Sequence, residues 1–326
     1  MNVRKKFELR KTFGSFFTNY LVLVAIVLLV LVTMIVEPKF LSSGNLTNIM
    51  RQFGPLSMVA LGMTFVIIGG FIDLSVAGTF SLVAVVTVSL IDPIGQVPAL
   101  IAGLLLGALC GFFNSVLILT AGALTQAEAL FITFGMSLVY GAFALITTGG
   151  AVLNMRDITS SISVFEGIGQ GTVGIFTVSF LIFLVCLILL YFFQSKTVMG
   201  RAINLTGGNK TAARLAGIPV DVSIMVIYTL SGLMAALGAV NQFARVTTAA
   251  PVMGKGFETN AILAVVVGGT SLKGGKGSVL RTVLGTLLII LMSNCLNLLG
   301  VTPYMQNVTK GGILVLAIWL DNRKPL

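Results

Sequence analysis

The chain has 326 residues, of which 56% are hydrophobic and only 9% are charged, against about 25% charged residues in an ordinary soluble domain. Together with a mean hydropathy of +1.06, this composition excludes a soluble globular protein. The net charge of +10 does not indicate a nucleic-acid partner, because the basic residues stand in short segments between apolar runs. Several runs reach the ~20 residues that a helix needs to cross a bilayer, which predicts an integral membrane protein.

The chain begins with a basic segment, residues 1–19, which we expect to form a cytoplasmic tail. The apolar run 20–36 is long and no small-x-small cleavage motif follows it, which favours a retained membrane helix over a signal peptide. Nine further apolar runs lie near 56–70, 74–91, 97–119, 126–147, 173–193, 222–242, 259–268, 282–299 and 308–320. They predict an all-α polytopic membrane bundle of about 8 to 10 helices, some of them broken, over residues 20–321, with a cytoplasmic tail at 322–326.

The basic residues indicate an orientation. If the N-terminus is cytoplasmic and the runs alternate, most of the 20 Lys and Arg residues fall in cytoplasmic segments, as the positive-inside rule requires. This predicts a multi-pass protein of the cell inner membrane with both termini in the cytoplasm. The three cysteines stand singly in apolar runs without metal-like spacing, and no metal site is expected.

Two distant stretches look alike. In "LGMTFVIIGGFIDLSVAG" and in "ILAVVVGGTSLKGGKGSV" an apolar run ends in Gly-Gly and a short polar segment follows. We predict helix breaks at Gly69, Gly70 and Asp73 and again at Gly268 and Gly269. One interpretation is an internal repeat whose broken helices face each other along a transport pathway; the other is coincidence in a chain with 37 glycines. For Asp73, a helix-capping role is favoured over that of an intramembrane proton carrier.

A basic, soluble segment at residues 195–221 interrupts the apolar runs and contains "GRAINLTGGNKTAARLAGIPVD". In it, Asn209 can cap a short helix from Lys210 to Ala216, Gly217 suits a left-handed C-terminal position, and a proline prevents continuation. Lys210 and Arg214, four residues apart, share one face, which we expect to be free for a second protein. The alternative is a solvated basic loop without a partner.

This segment resembles the cytoplasmic coupling segment in permease subunits of ribose-type ABC sugar importers. The short Ala-Ala-x-x-x-Gly pattern of that family matches Ala212, Ala213 and Gly217. The stretches "PKFLSSGNLTNIMRQFGPLSMVALGMTFVIIGGFIDLSVAG", "GFETNAILAVVVGGTSLKGGKGSVLRTVLGTLLI" and "NLLGVTPYMQNVTKGGILVLAI" resemble the N- and C-terminal blocks of the family in the same order. The chain departs from the family by insertion of Phe71 and Ala77 and by "LTQAEALFITFG" after the fourth run.

The resemblance implies a non-enzymatic permease that moves a sugar-like solute by alternating access. The implied partners are a separate ATPase subunit that binds the ATP, a second permease copy or paralogue, and a periplasmic or surface solute-binding protein; the chain itself needs no cofactor. The implied ATPase-coupling residues are Asn209, Lys210, Ala212, Ala213, Arg214 and Gly217.

A sugar pathway needs amides, hydroxyls and aromatic rings. The candidates within or beside apolar runs are Gln126, Glu128, Phe131, Asn241, Asn294 and Asn297. Each has an alternative role in helix–helix hydrogen bonding or packing. For Glu128, a cap and a pathway role are equally favoured, because no capping pattern accounts for both Gln126 and Glu128.

Two other classes of function were weighed. An intramembrane enzyme is disfavoured, because the chain has no histidine and neither Asp73 nor Glu128 has a visible catalytic partner. The stretch "SLKGGKGSV" fails as a phosphate-binding loop, so ATP hydrolysis would require another chain. The stronger alternative is an ATP-independent secondary transporter or facilitator in which Glu128 or Asp73 carries a proton.

Overall fold

The structure, a computed structural model, describes residue 24 and residues 27–322. The predicted tail at 1–19 and residues 323–326 of the second tail lie outside the described residues. The described α-helices are α1 (Val27–Val36), α2 (Ser43–Ile68), α3 (Val76–Ile94), α4 (Gln96–Thr120), α5 (Gln126–Thr148), α6 (Ser163–Gln170), α7 (Val178–Lys196), α8 (Val198–Gly208), α9 (Lys210–Leu215), α10 (Val220–Val246), α11 (Phe257–Val267), α12 (Val279–Leu298) and α13 (Pro303–Asn322).

The polytopic helical bundle predicted from the sequence is confirmed. Each of the ten apolar runs corresponds to one helix, and seven of these helices (α2, α3, α4, α5, α7, α10 and α12) are long and apolar enough to cross a membrane. The other three are α1 and α11, which are shorter apolar helices, and α13, of 20 residues. In the described range, strands occur only as two short antiparallel pairs, β1 (Leu153–Asn154) with β4 (Thr248–Ala249) and β2 (Thr172–Val173) with β3 (Phe176–Thr177).

Helix α2 forms the centre of the bundle and is buried from Phe53 to Ile68. It begins at Ser43, well before the predicted apolar run, because Ser42 caps it by accepting the N–H of Asn45. Helix α10 packs against α2 and α4. Gly232 of α10 lies so close to α4 that a Cβ atom there would overlap the carbonyl oxygen of Gly107, the close backbone approach that small residues allow between membrane helices.

The contacts between loops define two ends of the bundle. At one end, here called the glycine end, lie both Gly-Gly breaks, the α4–α5 turn and helices α8 and α9. At the other, the hairpin end, β1 pairs with β4, and Asp92 at the end of α3 accepts the N–H groups of Thr159 and Ser160. Segment 195–221 therefore lies at the opposite end from the long loop between α5 and α7.

Candidate translocation and coupling site

Both predicted helix breaks have the same backbone geometry. Helix α2 has Gly69 as its C-cap, and Gly70 has φ +80°; helix α11 has Gly268 as its C-cap, and Gly269 has φ +91°. In each, the second glycine donates to the carbonyl three residues earlier, and the next residue donates to the carbonyl five residues earlier. This is the Schellman arrangement, in which a left-handed glycine closes the helix. The local resemblance between the two stretches is thus structural, whereas a repeat of the whole chain stays a prediction.

The two breaks are joined directly. The N–H of Gly275 donates to the carbonyl oxygen of Ile68 in the last turn of α2, at 2.8 Å. A Cβ atom on Gly274 would lie 2.8 Å from the Cα atom of Gly70. Because no side chain separates them, the first break and the loop after the second are in direct backbone contact.

Helix α8 docks onto this junction. A Cβ atom on Gly207 would overlap the carbonyl oxygen of Ile68 and would lie 2.8 Å from the backbone nitrogen of Gly275. At the start of the segment, Gln194 donates to the carbonyl of Gly277 and accepts the N–H of Val279, the first residue of α12. Helix α8 and this junction were not predicted from the sequence. The one available signal is the recurrence of Gly-Gly at 207–208 and 274–275.

Helix α9 has the predicted form. The Asn209 side chain accepts the N–H of Ala212 at 3.0 Å, the helix ends at Leu215 with Ala216 as its C-cap, and Gly217 has φ +75°. Ala213 is buried against the bundle. Ala212 and Leu215 are exposed. At 87%, Leu215 is the most exposed large hydrophobic side chain among the described residues.

The side chain of Lys210 is not free for a second protein, and that expectation is wrong. Its Nζ atom donates to the carbonyl of Leu124 at 2.8 Å and to that of Gly70 at 3.5 Å, and it lies 3.7 Å from the centroid of the Phe71 ring. Burial lowers the pKa of Lys210 to about 8, although the nearby carboxylate of Glu128 partly opposes this shift. Lys210 therefore fastens α9 to the first break.

Arg214 does point outward, but it has a partner. Its guanidinium donates to the Asp221 carboxylate at 2.6 Å, across the turn that leads into α10, and both side chains are about half exposed. An exposed ion pair of this kind contributes ~0–1 kcal/mol to stability. The exposed residues of α9 are thus Thr211, Ala212, Leu215 and an arginine that is paired with an aspartate.

Comparison with known proteins identifies the chain. Residues 45–318 match the family described as branched-chain amino acid transport system / permease component. The chain belongs to this family. It is 35% identical to the ribose import permease protein RbsC of Escherichia coli over 304 residues, 93% of each chain. It is 36% identical to RbsC of Bacillus subtilis, covering 91% of this chain and 90% of that one. It is 32% identical to the D-allose transport system permease protein AlsC of Escherichia coli, covering 95% of this chain and 93% of that one. No solved structure matches the chain.

The chain is accordingly a permease subunit of an ABC importer and a multi-pass protein of the inner membrane. The residues that were predicted for its pathway can be judged against this structure. The six predicted pathway residues lie at the start of α5 or are the asparagines of α10 and α12. Asp73, which was predicted as a helix-break residue, forms a separate site.

Asp73 of the permease is fully buried between the first break and α10. Its Oδ1 atom accepts the N–H and the hydroxyl of Ser75 at 2.9 and 2.6 Å, and its Oδ2 atom accepts the hydroxyl of Ser231 at 2.7 Å. Asn114 donates to Ser75, and the Tyr140 hydroxyl donates to Asn114. The helix begins at Val76 with Ser75 as its N-cap. Asp73 therefore supports the cap residue rather than capping a helix that begins at Leu74.

The start of α5 does contain a capping pattern, contrary to the sequence analysis. Thr125 accepts the N–H of Glu128, and Glu128 accepts the N–H of Thr125, which together form a capping box. Glu128 is exposed at the glycine end and is not buried in a pathway. Phe131 is 72% exposed on the outside of the bundle, and Gln126 is half-buried.

Two of the three asparagines join helices. Asn294 of α12 exchanges two amide hydrogen bonds with Asn45 of α2, at 2.8 and 3.0 Å, and Asn297 accepts from Gln306 of α13 at 2.7 Å. Asn241 is buried and donates to the Leu237 carbonyl of its own helix. For Asn294 and Asn297, the observed hydrogen-bond partners lie on other helices, which favours the helix–helix role.

The permease has a cavity of about 150 Å³ at its hairpin end, between α2, α10, α11, α12 and α13. None of the six predicted pathway residues lines it. The polar residues that do are Gln52, Gln242, Arg245, Asn260, Ser293 and Lys310. They come from five helices, so no local sequence pattern groups them.

Proposed function

We propose that the permease carries a monosaccharide or a similar polyhydroxylated solute into the cell, with its glycine end and both termini in the cytoplasm. The orientation is supported by the positive-inside distribution of Lys and Arg. The solute class is supported by the relatives, which are named for ribose and D-allose import. A solute-binding protein would deliver the solute at the hairpin end, and a second permease copy or a paralogue would complete the pathway.

The observation that carries the proposal is the capped, exposed helix α9. A helix of six residues is too short to be stable alone in water, and α9 is instead held by the Asn209 cap and by Lys210. With Leu215 exposed at its tip, it presents a small apolar surface. We assign this surface to a separate ATPase subunit that binds the ATP, because the chain has no phosphate-binding loop of its own.

The structure suggests how movement of α9 could open and close the pathway. Closure of the ATPase subunits on ATP would displace α9 and, through Lys210 and Gly207, the two helix breaks at the glycine end. Packed helices transmit such a shift as rigid bodies. The two breaks then move together and change access at the glycine end, which is the alternating-access step.

The first experiment is purification from native membranes in a mild detergent. The ATPase subunit is expected to co-purify with the wild type and to be lost from Leu215→Glu, because a charge replaces the exposed apolar tip. Ile175→Glu is the matched control, since Ile175 is 78% exposed in the turn between β2 and β3 at the hairpin end. Loss of the ATPase from both variants, or from neither, would contradict the proposed docking surface.

The second experiment measures uptake of D-ribose and D-allose by proteoliposomes that contain the purified assembly and its binding protein. We expect uptake to require ATP inside the liposome and the binding protein outside it. Uptake by the permease alone without ATP would instead favour the secondary transporter. The structure gives that alternative little support, because Glu128 is an exposed capping residue and both Asp73 oxygens already accept hydrogen bonds.

A further inference from the structure

The cavity at the hairpin end contains positive charge that the described part of the protein does not neutralise. Arg245 and Lys310 are both half-buried and line it. Among the described residues the one ion pair is Arg214–Asp221, at the other end of the molecule. Burying a cation without a partner is costly, so these two side chains indicate that something else accepts their hydrogen bonds.

Their donor groups are largely unused. Arg245 donates from one terminal nitrogen to Gln242 at 3.2 Å, while its buried Nε atom has no partner among the described residues. No hydrogen bond is seen from the Lys310 ammonium to any described residue. A guanidinium and an ammonium can donate but cannot accept. A ligand in this cavity would therefore meet these donors with acceptor oxygens.

The rest of the lining supplies both donors and acceptors. Gln52 of α2, Asn260 of α11 and Ser293 of α12 carry amide or hydroxyl groups, which can pair with a hydroxyl in either direction. Phe257 adds an aromatic ring that is stacked on Phe80 at 4.3 Å and is thereby held in place. A pocket with one aromatic wall and a few convergent polar groups is typical of small-molecule sites.

We propose, on the basis of the proposed function, that this cavity is the permease's own solute subsite. It receives an uncharged polyhydroxylated solute from the hairpin end, and the hydroxyl and ring oxygens of the solute accept hydrogen bonds from Arg245 and Lys310. A volume of about 150 Å³ is on the scale of a single monosaccharide.

The test uses the complete importer, with its ATPase subunits and binding protein, in proteoliposomes. Uptake of D-ribose, of D-allose and of their monodeoxy analogues is measured at saturating binding protein for the wild type, Lys310→Met and Arg245→Gln. The control is Lys255→Met, because Lys255 is an exposed lysine near the hairpin end that does not line the cavity.

We expect each cavity variant to reduce uptake of the parent sugar about tenfold, the size of effect for one lost charged hydrogen bond. One deoxy analogue lacks the hydroxyl that the substituted side chain contacts. For that analogue, uptake by the variant should be close to uptake by the wild type. Lys255→Met should behave like the wild type. This pattern requires contact between the side chain and one solute oxygen.

Three results would overturn the subsite. An equal loss for all analogues would place Arg245 and Lys310 in docking of the binding protein. Unchanged uptake in both variants, with an active wild type, would remove them from the solute's route and leave the proposed function standing. Preference for the corresponding aldonate, abolished in Lys310→Met, would show that the solute is an anion. Failure of the wild type to take up any sugar would instead refute the proposed function.

Discussion

The N–H of Gly275 lies 2.8 Å from the carbonyl oxygen of Ile68 and donates a hydrogen bond to it, so the loop after the second broken helix is fastened to the last turn of the first. Gly207 of α8 packs against both partners of this hydrogen bond. A single contact point thus joins helix α8 to the first break and to the loop that follows the second.

Gly207→Ala should uncouple the importer. The new Cβ atom would overlap the Ile68 carbonyl, and overpacking of this kind costs ~1–3 kcal/mol, which α8 can relieve only by moving away from the breaks. We expect solute uptake to fall about tenfold or more while ATP hydrolysis by the assembled complex continues. The measurement is uptake and ATPase activity on the same proteoliposomes.

Gly208→Ala is the matched control, because a Cβ atom there would meet nothing within 4 Å among the described atoms outside its own helix. Both glycines are helical, so the change in helix propensity is the same for both substitutions. If the two variants lost uptake equally, a general effect on α8 would explain the result and the junction would have no special role.

The pKa of Lys210, lowered by burial to about 8, predicts a specific pH dependence of stability. An unfolded chain keeps its lysine protonated to about pH 10, so between about pH 8 and pH 10 the unfolded state binds more protons than the folded state. The free energy of unfolding should therefore rise with pH in this window relative to Lys210→Met, and the difference should be constant below it.

The measurement is the melting temperature of the purified permease from pH 7 to pH 10. Lys273→Met, a substitution in an exposed loop of the same end, controls for the loss of one positive charge. A difference between the wild type and Lys210→Met that does not change with pH would show that the ammonium is not buried at the first break.

How far the sequence predicts the structure depends on how local each signal is. The limits of α9 were predicted to within one residue, because Asn209 and Gly217 act on the backbone next to them. Helix α8 was missed, since Gly207 and Gly208 are poor helix formers, and the need for glycine at 207 comes only from the contact with Ile68.

The cavity could not be predicted, and neither could the inward position of Lys210. The polar lining is contributed by five helices, and Lys210 finds its partners at Gly70 and Leu124, far away in the sequence. Counting amides inside apolar runs instead selected Asn294 and Asn297, which join helices. Hydrogen bonds between helices and contacts with a solute require the same residue types, and only packing distinguishes them.

The capping box of α5 separates the two roles considered for Glu128. Glu128→Gln should keep normal uptake and stability, because glutamine at this position can also accept the Thr125 N–H. Glu128→Ala removes that acceptor and should lower the melting temperature slightly without abolishing uptake. If Glu128→Gln abolished uptake while the protein remained folded, a proton-carrying carboxylate would be required instead.

Asp73 provides the last test, because its buried carboxylate accepts three hydrogen bonds from Ser75 and Ser231. Asp73→Ala would leave these donors without partners in the core, at a cost of about 2 kcal/mol or more, and should lower the melting temperature clearly. Asp73→Asn keeps one acceptor oxygen for Ser75 and offers its amide to the Ser231 oxygen, so most of the stability should remain.

Uptake distinguishes a structural Asp73 from a proton carrier. An asparagine cannot exchange a proton, yet with ATP as the energy source Asp73→Asn should retain ATP-dependent uptake in proportion to the folded protein. The assay compares uptake per folded permease in the wild type and in both variants, with and without a pH gradient. Complete loss of uptake in a well-folded Asp73→Asn protein, together with gradient-dependent uptake in the wild type, would identify this carboxylate as the carrier of a coupling proton.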